Sequence, residues 1–366
     1  MKKLLVILFM LIATNIWAVP ATMYVTSAGG GDKSGSSWAN AMGEAEFETD
    51  IEGGAEAGDI YYVAGGTYTL DSAYSTAKFG SATAPIQIIG VKSGTTNAPP
   101  SFSDWAFGTD RPLFANGGWG FSITNTYWNV YNLRFTCTYD FGVYFGGYST
   151  IYNCKITNSS ANSSFGFVAN GSYVKMISCE SIDTNGSAFY APEFSDFINC
   201  YAHDSTKGFY INTSYVSVTN SIIDTCTTAF DIDGTVKYTF INNTLYNCTT
   251  GYDIGGTTSG IFTNNIIANS TTGATATANN ISNFWNYNCW SSNTTDVSNV
   301  TKGNNDITAS ALLNDPANGD FTLRAGSPCL DAGMQPDANI GVVGDYKWNI
   351  GADQDNPKTL SSSSVN

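Results

Sequence analysis

The stretch FINNTLYNCTTGYDIGG (240–256) aligns without a gap on VTNSIIDTCTTAFDIDG (218–234), setting Asn242 on Asn220, Cys248 on Cys226 and Asp253 on Asp231 at an offset of 22 residues. The offset persists along the chain. An asparagine landmark recurs at Asn132, Asn153, Asn199, Asn220, Asn242 and Asn264, with Ser178 standing in once, at spacings of 21, 25, 21, 21, 22 and 22. A second landmark, a Gly or Ala opening an apolar run, follows at Gly142, Gly166, Ala188, Gly208, Ala229, Gly251 and Gly273. Two independent markers that keep one period over seven units exclude coincidence, and periods of roughly 20 to 50 residues belong to solenoids or propellers.

The content of the unit decides between them. Each holds two or three short alternating runs, such as FINC-YA and GFYIN, separated by Ser, Thr, Asn and Gly, with no amphipathic helical stretch and no leucine-rich pattern. Only 12% of residues are charged and aromatics reach 14%, which suits strands and tight turns. The reading is an all-β, single-stranded parallel β-helix of about 22 residues per coil, each coil pairing with the next at about 4.8 Å. Equivalent positions then form ladders along the axis.

Alternation assigns a side to each ladder. After the Gly or Ala landmark, Val143, Phe167, Phe189, Phe209, Phe230 and Tyr252 point inward, as do Phe145, Ala169, Ala191, Ile211, Ile232 and Ile254; between them Tyr144, Val168, Tyr190, Tyr210, Asp231 and Asp253 point outward. After the asparagine landmark, Leu133, Cys154, Cys179 and Cys200 point inward, and Arg134, Lys155, Glu180 and Tyr201 outward. Cys226 and Cys248 share a further interior ladder. Three consecutive cysteines in one ladder cannot all pair, so the cysteines are expected to be reduced core residues.

Net charge is −15, which argues against nucleic acid and anionic membrane as partners and disfavours an anionic polysaccharide unless a local basic patch or a bound cation offsets the field. The single histidine, His203, leaves little room for His-based triads or His-rich zinc sites and is read as a surface residue. Lys2 and Lys3, the apolar run Leu4 to Ile12 and the small residues Ala18 and Ala21 read as a secretory signal over 1–21, too short to span a bilayer. The chain is expected to be exported, whether secreted, periplasmic or held at the cell surface, and monomeric. Residues 22–58 read as an N-terminal strand and cap, in which Met42, Ala45, Phe47 and Ile51 fall on a helical spacing; 59–300 read as the β-helix and 301–366 as a closing segment and tail.

Tyr24, Val25, Gly35, Ser37, Trp38 and Ala39, followed by Ala57, Gly58, Asp59, Ile60 and by Gly65, Gly66, Thr67, Tyr68, resemble the start of exported right-handed parallel β-helix proteins of the pectate-lyase-like superfamily. DPANGDFTLRAGSPCLDAG (315–333), followed by Asn349, Ile350, Gly351 and Ala352, resembles the closing segment of bacterial right-handed β-helix repeat proteins. The resemblance implies an outer groove that could take a sugar chain. It does not choose among lyases, hydrolases, epimerases and adhesins.

For lyases of this fold, the resemblance implies a Lys or Arg base beside a uronate carboxylate neutralised by a cation. Lys155 is the candidate base, Arg134 the candidate neutraliser, and Glu180 completes the column; a plain surface charge ladder is the competing reading. Asp231, Asp233 and Asp253 could hold calcium or form a hydrolase pair, and Asp183 and Asp204 stack at a neighbouring turn. Exposed Tyr144, Tyr190, Tyr201 and Tyr210 suit sugar rings. Signature motifs of pectate, alginate and chondroitin lyases and of polygalacturonase-like hydrolases are absent around these residues. Arg134, Lys155, Glu180, Tyr190 and Tyr210 are expected to form one polysaccharide-contact surface; the alternative is a non-catalytic surface or adhesive structural protein.

Overall fold

The computed structural model describes residues 20–352 apart from 71–73, 117–120, 138–141, 159–164, 183, 235–236, 257, 278–282 and 335–347. The basic and apolar start of the chain, Asp183 and the final SSSSVN lie outside the described residues. The chain winds as a parallel β-solenoid whose coils contribute in turn to three sheets. The first runs from Thr22–Val25 to Phe284–Asn286 and the second from Thr67–Leu70 to Ile307–Thr308, each of eleven strands among the described residues; the third runs from Tyr74–Ser75 to Thr295–Ser298 with ten. Asp231 lies directly opposite Asp253, so the 22-residue offset is the step from one coil to the next.

The asparagine landmark is a conformational requirement. Asn132, Asn153, Asn199, Asn220, Asn242, Asn264 and the substitute Ser178 all sit at the corner between first and second sheets with φ between 51° and 58°. Asparagine tolerates that left-handed region because its short polar side chain bonds locally. Here it also bonds along the axis: Asn153 Nδ2 donates to Asn132 Oδ1 at 2.7 Å, and Asn220 Nδ2 to Asn199 Oδ1 at 2.6 Å.

Inside, the column that begins Leu133, Cys154, Cys179, Cys200 continues as Ser221, Asn243, Asn265 and Asn288, a buried amide ladder in which Asn265 Oδ1 takes the Asn243 N–H and Asn288 Oδ1 takes the Asn265 N–H. All eight cysteines are free and buried, as the ladder argument expects. The inward ring column stacks, with centroids of Phe189–Phe209, Phe209–Phe230 and Phe230–Tyr252 4.8, 5.2 and 5.0 Å apart. Val168, expected to face outward, is buried.

The two ends are closed differently. At the N-terminal end the helix Glu44–Thr49 lays Phe47 against Tyr61 and Phe114, and Met42 and Ile51 bury with it; Ala45, expected on the same face, is exposed. Toward the C-terminus the chain does not simply close the last coil. A small antiparallel pair, Leu313–Asp315 with Asp320–Leu323, and the segments that follow fold back as a strap over the outer face of the second sheet. Phe321, Cys329 and Ile350 bury against Ile222, Ile266 and Cys289. Burial of a ring the size of Phe321 contributes about 2 kcal/mol. Backbone bonds seat the strap's last residues: Ala352 N–H donates to Thr244 Oγ1 at 2.9 Å and Gly351 N–H to Asn264 O at 2.7 Å. Gly351 has φ +98° and a Cβ there would lie 2.4 Å from Ile266 Cδ1, so only glycine lets the strap approach this closely.

Candidate functional site

Register along the second sheet sets Thr67, Leu113, Arg134, Lys155, Glu180, Tyr201, Ile222, Thr244, Ile266 and Cys289 in one outward column. From Ile222 onward the strap buries it; from Tyr201 back it meets solvent. The expected trio Arg134, Lys155 and Glu180 therefore stands together on the uncovered part. Lys155 Nζ donates to Glu180 Oε1 at 2.8 Å. Arg134 Nε donates to the Arg111 carbonyl at 3.0 Å, and Arg111 itself, buried, donates to the Gly108 and Asn153 carbonyls at 2.9 and 2.6 Å. Among the described residues neither arginine pairs with a carboxylate.

His203 lies on the outer face of the second sheet but is more enclosed than a plain surface residue. It lies two residues beyond Tyr201 on the same strand and so faces the same way, with its side chain only 12% exposed. Its Nε2 lies 3.2 Å from Glu180 Oε1 and its Nδ1 3.1 Å from Asp204 Oδ2, and its ring stacks on Tyr201 at 4.2 Å. Burial lowers the imidazole's proton affinity, but the hydrogen bonds and charges of Glu180 and Asp204 outweigh it, so His203 titrates above its ordinary value. Burial pushes Glu180 up; His203 and Lys155 overcome that and hold it down at about 2. Asp224, which follows His203 one coil later, is raised, first by burial and then by Asp204. Burial, then the carboxylates of Asp224, Glu180 and Asp204, raise Tyr201 as well. The cluster is thus a hydrogen-bonded chain of alternating basic and acidic side chains, Lys155, Glu180, His203 and Asp204, beside two arginines.

The other expected residues lie elsewhere. Tyr144, Tyr190, Tyr210, Asp231 and Asp253 share the outward column of the third sheet, with Asp233 two residues beyond Asp231, so the single contact surface expected from the sequence is divided between two sheets, and only Tyr201 joins the charged group. On the third sheet Lys207 Nζ sits 4.4 Å from the centroid of Tyr210 and pairs with Asp231. Tyr190 packs on Tyr210 at 5.7 Å and meets Asn212 Oδ1 at 3.3 Å. Burial, then Asp231 and Asp233, raise Asp253. Among the described residues no three His, Cys, Asp or Glu side chains gather as a metal site. Of the three carboxylates expected to hold calcium, Asp231 is paired with Lys207.

The most exposed aromatic feature was missed from sequence. Tyr127, Tyr148, Tyr173, Phe194 and Tyr215, all with positive φ, stack at 4.9, 4.8, 4.9 and 4.7 Å. Their faces cover one another, and Lys237 lies over the outer face of Tyr215 at 5.6 Å. Stacking on a sugar needs a free ring face, and the inner rings Tyr148, Tyr173 and Phe194 have both faces against neighbours.

No protein-family model matches the sequence, and a search of curated proteins finds no match. Solved structures do match in shape. The pectate lyase Pel9A superposes with a TM-score of 0.61 at 17% identity, covering 91% of this chain and 96% of that one. The alginate lyase from Paenibacillus sp. str. FPU-7 gives 0.51 at 14% identity over 78% and 99%. At these identities the likeness establishes the fold, a right-handed parallel β-helix of the pectate-lyase-like type, and leaves the chemistry to the residues.

Proposed function

We propose that this chain is an exported protein that binds an acidic polysaccharide along the uncovered outer face of the second sheet, with Arg134 and Lys155 meeting sugar carboxylates and Tyr201 lying against a ring. One observation carries this reading. In a chain of net charge −15, Arg134 and Lys155 stand in adjacent coils of one outward column over the buried Arg111, with Glu180 paired to Lys155 and the acids Asp204 and Asp224 lying beyond it beside His203. This is the local basic patch that the overall charge demands before an anionic glycan can approach. Arginine presents a fork suited to carboxylates. The fold likeness to proteins named for lyase action on pectate and alginate is in keeping with it.

A second reading adds elimination at a bound uronate. Lys155 would take the C5 proton while Arg134 faces the carboxylate; the C5–H electron pair becomes the C4–C5 double bond, the C4–O bond breaks, and the leaving oxygen collects a proton. Lys155 is engaged with Glu180 at 2.8 Å, so a sugar must first part that pair, which favours binding as the primary role. His203, with both nitrogens bonded, serves to hold Glu180 rather than to move protons.

The test is a panel of uronate and neutral polysaccharides, with and without calcium, scored for retention and for ultraviolet absorbance of a 4,5-unsaturated product. Retention of uronates alone, without absorbance, is the expected result; absorbance abolished by Lys155→Ala would establish elimination. A surface structural protein with no glycan role predicts neither retention nor product, and that outcome would overturn the proposal.

A further inference from the structure

The outward column of the second sheet is open at one end and walled at the other. Toward the N-terminus Thr67 is exposed and Leu113 half-exposed; Arg134, Lys155, Glu180 and Tyr201 are half-exposed; from Ile222 to Cys289 every member is buried. The change comes within one interstrand step, at Tyr201, whose ring meets the edge of Phe321 at 6.3 Å. Phe321 also meets Tyr246 at 5.7 Å and is almost wholly buried, so the wall is a packed layer and not a thin loop. Behind it, Cys329 and Ile350 continue the layer over Ile266 and Cys289.

We infer that the site takes the end of a polysaccharide chain and not its middle, a statement that rests on the acidic-polysaccharide reading above. A chain lying along the column passes over Thr67 and Leu113, meets Arg134 and Lys155, and stops at the Tyr201–Phe321 wall. The run from Thr67 to Tyr201 covers five interstrand steps, about 24 Å. To continue in the same direction the chain would have to climb over a packed layer, a rise of about 10 Å if the strap stands off the sheet as packed layers do. That climb lifts the chain away from Lys155 and Arg134, which lie two and three steps from the wall. Chain ends meet no such penalty. His203 stacks beside Tyr201 on the same strand, its ring held between Glu180 and Asp204, and so steadies the ring that forms the wall's edge.

The binding stoichiometry of the full chain tests this without any need for turnover. Size-fractionated polygalacturonate and alginate of increasing length are titrated with the protein, and the number bound per polysaccharide at saturation is read by light scattering. An end site gives one protein per polysaccharide whatever its length. A number that grows in proportion to length would overturn the inference while leaving the binding reading intact; absence of binding at every length would overturn both. In a second arm each end of a short oligomer is blocked in turn with a bulky group. One of the two blocked forms should lose at least tenfold in affinity, and equal binding by both would contradict an end site.

Discussion

Two halves of one column carry opposite residues. Arg134, Lys155 and Glu180 occupy the uncovered half of the second sheet's outer face, and Ile222, Thr244, Ile266 and Cys289 occupy the same positions a few coils later, under the strap. Backbone geometry and side-chain direction are alike in both. What differs is whether a second layer lands on them, and the residue types follow: burial of an unpaired charge is far more costly than its exposure. Stacking alone makes any outward position recur, so recurrence says little about function. A charged stretch left bare, in a column whose other end is covered, says more.

That comparison can be attacked directly. Ile266→Asp should have the largest effect, a loss of about 3 kcal/mol or more in urea denaturation, since it buries a carboxylate beneath Gly351 and Ile350. Lys155→Ala in the bare half should cost under about 1 kcal/mol by the same measurement, because the Lys155–Glu180 pair is partly solvated. Its glycan affinity should nevertheless fall at least tenfold, about 1.4 kcal/mol.

A pH series sharpens the role of His203. Its folded value lies above the ordinary one, so its contribution is complete below about pH 6.5 and fades as pH rises through the folded value. Glu180, held at about 2, contributes above about pH 4.5 and loses that contribution as pH falls toward 2. The stability gap between the wild type and His203→Gln should therefore be widest between about pH 4.5 and 6.5, on the order of 2 kcal/mol, and narrow on either side. A gap that does not vary with pH would mean that His203 acts by packing alone. The smallest effect on glycan binding is expected outside the site: Tyr173→Ala, which breaks the exposed ring ladder, should cost about 1 kcal/mol of stability and leave glycan retention unchanged.

Much of this architecture was legible from the repeat. The period gave the coils, alternation gave the inward rings and the reduced cysteines, and the Asn landmark marked a corner whose φ near +55° explains its persistence. The column Arg134, Lys155, Glu180, Tyr201 also followed from register. What the repeat could not convey was contact between segments distant in sequence. Residues 311–352 carry no period that says where they land, so the strap, and with it the boundary of the site at Tyr201, was hidden. Arg111 was missed because it lies ahead of the first clear landmark, at Asn132. His203 was set aside as a lone histidine, although its place two residues after Tyr201 and opposite Asp224 already put it on the outer face. The division of the tyrosines between two sheets was missed for a different reason: alternation tells inward from outward, and says nothing about which of three outer faces a residue joins.

The central claim is that the bare, basic half of the column holds an acidic glycan. The most direct measurement compares wild type and Arg134→Ala for affinity toward polygalacturonate and toward a neutral polysaccharide, over a range of salt, with thermal unfolding recorded for both proteins. The account predicts uronate binding that weakens with salt, at least tenfold weaker binding by Arg134→Ala, and unfolding temperatures that agree within a few degrees. Equal uronate affinity in the two well-folded proteins, or equal affinity for the neutral polysaccharide, would contradict it.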